Sequence, residues 1–464
     1  MKKLILLITA PLLLMVFIVW SCNKEKDKPE KFSAQSVEEN KAIVENSGID
    51  LSDAMKRMET MGTNDVIINF VDLSSSLDSK GYLFSRKSKI FSTLEAIVAT
   101  TRGEKRLNNV FDAMIYSREL KSEDPESIQQ FWDENVGTYT WNPSLSDWDE
   151  ELGGDKIILK FPSSESISAN DATITIYNYT GVNMSNPIEE EYTGDLPVSL
   201  NADLKVGSEV LVAFEFGASY NSDGVPNAVA ADLTIENFKF EIDVSNNTHV
   251  VSVNYKFLEN ENIIMDMGAT GNGLFTDENY DDNTVHHSET YSYVCDYVWN
   301  PNTQQWEEVY CEWTDEWDET EFEEILHSAS AHFQLFNIEL RGDIDIKGLV
   351  DQIRIIDEAY ENEEIDSETA DTRYASKINE YLNLRLVNIT NNEIMAKAEA
   401  YVVHESDYGY EDTYIDFRLT FGDDSPIDME TYFDEGFDTF VTQLNDLFYD
   451  INSDYDTDLE PIDY

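Results

Sequence analysis

Two hydrophobic periods divide the chain. Over residues 34–135 apolar side chains recur at helical spacing. Ile90, Phe91, Leu94, Ile97 and Val98 fall on one face, and Leu107, Val110, Phe111, Met114 and Ile115 on another. Met55, Met58 and Met61 form a shorter stripe, with Ser52 or Asp53 placed to cap it; methionine at such spacing fills cores. From 136 the period becomes two. Leu196, Val198, Leu200, Ala202, Leu204 and Val206 alternate with polar residues, and Val210, Val212, Phe214, Phe216, Ala218 and Tyr220 repeat the pattern. Turns are expected at 221–224 and at Asn246-Asn247. A phase flip at Glu236-Asn237 predicts a bulge or a break. Long strands with one apolar face and short turns describe an antiparallel meander whose other face is polar.

After about 320 helical spacing returns, with Leu349, Val350, Ile353, Ile356 and Tyr360 on one face. Two strands are expected near 394–403 and 412–421. A last helix carries Phe437, Phe440, Val441, Leu444, Leu447 and Phe448, and an acidic tail follows from Asn452. The fold class is therefore α+β: a helical region at 34–135, a large antiparallel β-sheet region at 136–320, and helices with additional strands at 321–464.

The first 33 residues follow neither period. Lys2 and Lys3 precede an apolar run from Leu4 to Trp20, which ends at Ser21-Cys22. A basic start, an apolar stretch and a small residue before the cut describe an export signal over 1–21. The run is about as long as the ~17–25 residues that span a bilayer, so its length also admits an uncleaved anchor. Val19-Trp20-Ser21-Cys22 is similar to a bacterial lipoprotein box, which makes Cys22 the acylated residue, carrying palmitate-type chains. Residues 22–33 are charged and nearly devoid of apolar groups, which predicts a disordered tether.

Charge narrows the partners. The chain holds 31 Lys and Arg against 93 Asp and Glu, a net charge of −62, and removal of the leader makes it two units more negative. Such a surface repels nucleic acid, so none is expected as a partner. The attachment to the membrane rests on the lipidated N-terminus, and a protein or small-molecule partner remains open. No cofactor is expected beyond loosely held divalent cations. The composition, 41% hydrophobic and 12% aromatic, supplies an ample core.

Besides Cys22 the chain has Cys295 and Cys311, an even pair in an oxidising compartment. A turn centred on residue 303 sets 295 opposite 311, which predicts a disulfide across a hairpin. In that register Cys295 and Trp299 share a face and Trp306 lies on the other; two tryptophans on one face would require a bulge. Two separate thiols or a metal pair are the alternatives.

Two segments echo each other. Tyr139-Thr140-Trp141-Asn142-Pro143 is followed by Trp148, and Tyr297-Val298-Trp299-Asn300-Pro301 by Trp306. Asn-Pro opens a turn and tryptophan favours strands, so each segment reads as a hairpin tip. The lipoprotein box, Gly-Thr-Tyr-Thr-Trp-Asn-Pro at 137–143 and Ile158-Leu159-Lys160-Phe161-Pro162 together resemble uncharacterised lipoproteins of Bacteroidota. That resemblance implies a cell-envelope location, the outer membrane being favoured, and implies no reaction.

Other motifs carry less. His286-His287 with Asp281 and Asp282 is a thin candidate for a metal. Gly268-x-x-Gly271-x-Gly273 is expected to be a loop, because carboxylates follow it where a phosphate loop needs a helix. Asp454-x-Asp456-x-Asp458 lacks the glycine and glutamate of a calcium loop. Arg341-Gly342-Asp343 alternates as a strand. No G-x-S-x-G or H-E-x-x-H pattern occurs, so no catalytic residue is assigned. The expected role is non-enzymatic, either ligand or partner binding or structural. A carrier of lipophilic cargo lined by Phe214, Phe216, Phe238 and Phe240, or a hydrolase without a recognisable motif, are the alternatives.

Overall fold

A computed structural model describes residues 31–75, 128–184, 194–222, 224–300, 305–407 and 410–434, with single positions from 437 to 449. Over the described residues the chain folds as mixed α/β around a large sheet of 16 strands. Helices α1 (Val37–Glu59), α2 (Gly62–Ser75) and α3 (Ile128–Asn135) come first. Strands β1 (Gly137–Asn142), β2 (Asp147–Leu152), β3 (Ile157–Phe161), β4 (Ala172–Met184), β5 (Gly194–Val206) and β6 (Glu209–Tyr220) follow. The meander continues as β7 (Pro226–Ile235), β8 (Phe238–Asn246), β9 (Val250–Glu259) and β10 (Asn262–Gly273). After α4 (Asp277–Asp282), β11 (Thr284–Asn300) and β12 (Gln305–Thr320) pair with each other. Beyond α5 (Phe322–Ile325) the sheet resumes with β13 (Leu326–Leu335) and β14 (Ile338–Asp345). Helices α6 (Ile346–Glu361) and α7 (Ser367–Tyr381) precede β15 (Leu382–Asn388), β16 (Glu393–Asp407), β17 (Tyr410–Thr420), β18 (Pro426–Asp428) and α8 (Met429–Asp434).

Neighbouring strands are antiparallel except β1 and β3, which run parallel. β10 pairs directly with β13, so the sheet crosses the boundary at 320 without interruption, and β11–β12 form a separate ribbon. Alternation sorts the two faces. On one, Phe214, Leu233, Phe240, Phe257, Met265 and Leu335 stand opposite one another strand after strand. On the other, Asp243, Asn254, Gly268, His332, Arg341 and Arg385 do the same.

Described helices pack on the apolar face. Ser36 caps α1: its hydroxyl accepts from the Glu39 amide at 3.2 Å, and the Glu39 carboxylate accepts from the Ser36 amide at 2.8 Å. Ser52, expected as a cap, instead lies buried inside this longer helix, held there because Leu51, Ala54 and Met58 dock on Phe238, Phe257 and Ile264. At its other end α1 sets Val37 and Val44 on Ala396, Leu419 and Phe421. Each such buried apolar side chain contributes about 1.5–3 kcal/mol. Helix α2 sets Val66, Ile67 and Phe70 on Trp148, Phe161 and Ile174. The two amphipathic stripes at 90–98 and 107–115 lie outside the described residues, as do Cys22 and the Asp454–Asp458 motif. Of the last predicted helix, Phe437 is buried against Tyr432.

The phase flip at 236–237 is a hairpin turn between β7 and β8, because Ile235 pairs with Phe238. Glu236 there has φ of 51°, and its carboxylate accepts from the Thr63 amide at 3.0 Å and hydroxyl at 2.7 Å. Gly268, Gly271 and Gly273 are a correction too: they lie in β10, not in a loop. Adjoining atoms leave no room for a side chain without a shift: side chains of β9 and β13 crowd Gly268 and Gly271, and the α5 backbone crowds Gly273. A Cβ on Gly273 would stand 1.9 Å from the Ile325 carbonyl oxygen.

The expected tether ends in the sheet. Phe32 makes a parallel bridge to Ile394, with the Ser33 amide donating to the Ile394 carbonyl at 2.7 Å and the Ile394 amide to the Lys31 carbonyl at 3.0 Å. β17 pairs with β16 only from Lys397 onward, so Ile394 presents an open edge for this segment. No described helix is long and apolar enough to cross a membrane.

Candidate functional site: a stapled aromatic arm

The ribbon of β11 and β12 grows from the seam between β10 and β13. Its base is fixed by hydrogen bonds that a short polar linker would not provide. The Leu274 amide donates to the Ile325 carbonyl at 2.9 Å. The Asn279 side-chain amide donates both to Leu274 at 2.9 Å and to Glu324 at 3.1 Å, tying the outgoing chain to the returning one. Asn283 then donates to the Asn279 carbonyl at 2.8 Å, and the Glu321 amide to the Asn283 carbonyl at 2.9 Å. From α6, Arg354 pairs with Glu323 and Lys347 with Glu324. The Lys347 hydrogen bond holds the Glu324 carboxyl below its ordinary range.

Above the base the strands are registered from Thr284 opposite Thr320 to Asn300 opposite Gln305. Tyr293 faces Cys311, Val294 faces Tyr310, and Asp296 faces Val309, so Cys295 is the extra residue of a bulge. Cys295 and Cys311 are joined by a disulfide with Cα atoms 5.6 Å apart. The pairing expected from the sequence is therefore present, with a shifted register. The bulge places Trp299 opposite Trp306, the arrangement two tryptophans on one face require.

The arm is rich in rings and carboxylates. Residues 284–320 hold eight aromatic residues, nine Asp and Glu, and no Lys or Arg. Tyr291 pairs with Trp313, ring centroids 6.2 Å apart, and Tyr293 continues the same face. Tyr291, Tyr293 and Trp313 are 47%, 51% and 58% exposed. One step toward the base on that face, Glu289 stands opposite Asp315. Like charges directly opposite repel in a two-stranded pair. At the tip Tyr297 faces Glu308 and Val298 faces Glu307.

In the echoing hairpin β1–β2 the tryptophans are buried. Trp141 and Trp148 also pair across a hairpin, ring centroids 5.7 Å apart, but both are 7% exposed and Phe70 of α2 packs edge-on against Trp148. What a helix covers in β1–β2 faces solvent in much of the arm.

The arm and the N-terminal segment leave from opposite ends of the sheet. β13 begins at Leu326 beside the arm and ends at Leu335, which pairs with Ile338; Ile338 pairs with Asn388, and Asn388 with Glu393 next to the Phe32 bridge. β13 has 10 residues, so about 33 Å of strand separates the two exits.

Other predicted positions scatter. His286 faces Asp318 and His287 faces Trp317, on opposite faces of the arm, while Asp281 and Asp282 belong to α4. Among the described residues no three His, Cys, Asp or Glu side chains gather as a metal site would require. Phe238 and Phe240 both stack on Phe257 beneath Leu51 and Met58 of α1, which occupies the ground an acyl chain would need beside them. Phe216 is buried.

A shallow depression of about 380 Å³ lies on the polar face instead, floored by Gly217, Ser219, Ala228, Ala230 and Ser245. A row of His332, Arg341, Arg385 and Lys397 crosses that face in register beyond it. Burial and the neighbouring Arg385 push the Lys397 ammonium down. The row is framed by carboxylates: Asp266 lies 3.1 Å from His332, and Glu339 2.6 Å from Arg341. Carboxylates thus offset the row at His332 and Arg341, while Arg385 and Lys397 repel each other.

Sequence reasoning treated the arm as part of the meander. The distinguishing signal was present: after Thr284 rings and carboxylates occupy both alternating sets, so no apolar face remains for helices to cover. The chain matches no family model, no curated protein and no solved structure.

Proposed function

We propose that the protein is a lipid-anchored envelope protein with a non-enzymatic role, holding out the β11–β12 arm as a docking surface for a protein partner. Acylation at Cys22 attaches it, with the outer membrane as the favoured location. The observation that carries this reading is the polarity of the sheet, in which the N-terminal segment and the arm exit at opposite strand ends. Only eight residues lie between Cys22 and Lys31, a reach of about 30 Å when extended. A body held that near a bilayer at one end presents the arm at the other. The fixed base and the disulfide support the reading, because a docking element gains from a geometry set in advance.

The test places a photoreactive amino acid at Tyr293 or Val298 in cells, with Ser245 on the polar sheet face as the comparison. Discrete adducts from the arm positions and none from Ser245 are expected. No adduct from the arm, or equal adducts from Ser245, overturns the docking role. Fatty-acid labelling tests the anchor: label that persists in Cys22→Ala overturns the acylation.

A further inference from the structure

We infer that the partner seated on the arm is a cationic protein segment that presents arginine side chains to the face carrying Tyr291, Tyr293 and Trp313. This rests on the docking role proposed above and names the chemistry of the partner.

Two features of that face converge on a guanidinium. Tyr291 and Trp313 form a cross-strand ring pair with about half of each surface in solvent. A planar cation stacks on such rings, and arginine does so more often than lysine. Glu289 and Asp315 stand opposite each other two residues along the same face, about 7 Å from the ring pair. Two like formal charges set at one register favour a cationic partner there. An arginine seated on the rings carries five N–H donors, and the sequence sets two acidic residues at the adjoining register of the same face.

The arm repeats this pairing of ring and carboxylate at its tip, where Tyr297 faces Glu308. Across all 37 residues the arm carries no Lys or Arg of its own to compete for these groups. A basic segment is therefore complementary along the whole ribbon. An anionic or purely apolar partner would meet the acidic residues of that face without compensation.

The full chain in detergent is titrated into fluorescein-labelled deca-arginine at 0.15 M salt and followed by anisotropy. Binding is expected to weaken at least tenfold in Tyr291→Ala/Trp313→Ala, which leaves the charge unaltered. A similar loss is expected in Glu289→Gln/Asp315→Asn. The matched charge change on α6, Glu358→Gln/Glu361→Gln, is expected to leave affinity within twofold. Deca-lysine is expected to bind several-fold more weakly than deca-arginine. Thiol titration showing Cys295 and Cys311 still bonded in each variant confirms that the arm has formed.

If the ring substitutions have no effect, or the α6 pair costs as much as the arm pair, attraction to the arginine probe is diffuse and the inference fails. Arm crosslinks in cells that survive the loss of deca-arginine binding would leave the docking role standing and overturn only the cationic partner.

Discussion

Replacing both Cys295 and Cys311 by serine tests whether the arm is a locally stabilised unit. The bond joins residues 16 apart in sequence, and closing a loop of about 15 residues restricts the unfolded chain by roughly 3 kcal/mol. Where that loss falls follows from topology. Among the described residues β11 and β12 pair only with each other, and a two-stranded ribbon is marginal in water by itself. The arm can therefore open without opening the sheet, and the loss falls on local opening. At about 1.4 kcal/mol per tenfold, amide exchange within 296–310 is expected to accelerate roughly 100-fold. Exchange in β13 to β16, and the melting temperature of the body, are expected to stay where they were. Hydrogen exchange read by mass spectrometry on the oxidised protein and the double variant decides it. A fall in the melting temperature of the whole protein, or unchanged protection in the arm, refutes the argument.

Three further outcomes follow from the packing and the charges. Trp148→Ala opens a cavity under Phe70 and is expected to cost about 3–5 kcal/mol in denaturant unfolding, while Trp313→Ala at an exposed site costs under ~0.5 kcal/mol; similar values would contradict the burial contrast. Arg57 grips Glu259 through bonds of 2.8 and 2.6 Å and holds its carboxyl below the ordinary 4.5. The stability that this adds is complete above pH 4.5 and is lost as pH falls through the lowered value, so the gap between wild type and Arg57→Ala should narrow at acid pH; a constant gap would disprove the linkage. With a net charge of −62, the melting temperature is expected to rise from low salt to 0.15 M, where the Debye length is ~8 Å, and calcium should act more strongly than sodium at equal ionic strength; a flat response would show the charges to be too dispersed to matter.

The strands were legible because one face of the sheet is covered and the other is not. Phe214, Phe216, Phe238 and Phe240 keep the period-two signal that burial on one face imposes. Turns with local chemistry were legible as well, Asn246-Asn247 among them. What failed was non-local. Ser52 looks like a cap, but docking of α1 on β8 to β10 carries the helix through it. The glycines of β10 look like a loop, and only their neighbours in the fold reveal why side chains are excluded. The sheet's passage from β10 to β13 depends on pairing across 52 intervening residues, which no local pattern records. The site was legible in part: the turn near 303 and the two cysteines gave the bond, and the bulge at Cys295 was visible only as a condition on the tryptophans.

The repeated Tyr-x-Trp-Asn-Pro segment separates what local sequence determines from what context determines. In both hairpins the Asn-Pro turn sets tryptophan opposite tryptophan, Trp141 with Trp148 and Trp299 with Trp306. Register is thus a local outcome. Burial depends on context: Trp141 and Trp148 cluster with Ile157 and Leu159 of β3 and are buried, whereas Tyr291 and Trp313, nearer the base of the arm, face solvent. One might then read the arm's rings as strand formers alone, kept for β propensity in a ribbon with no core. Threonine tests that reading, because it favours strands and carries no ring. In Tyr291→Thr/Trp313→Thr the loss of one aromatic cross-strand pair costs about 0.2–1 kcal/mol, so arm amides should keep their protection within about fivefold. Deca-arginine binding should nonetheless fall at least tenfold. Retained protection with lost binding assigns the rings to recognition. Retained binding would assign them to the strand, and the arm's exposed aromatic face would need no partner to explain it.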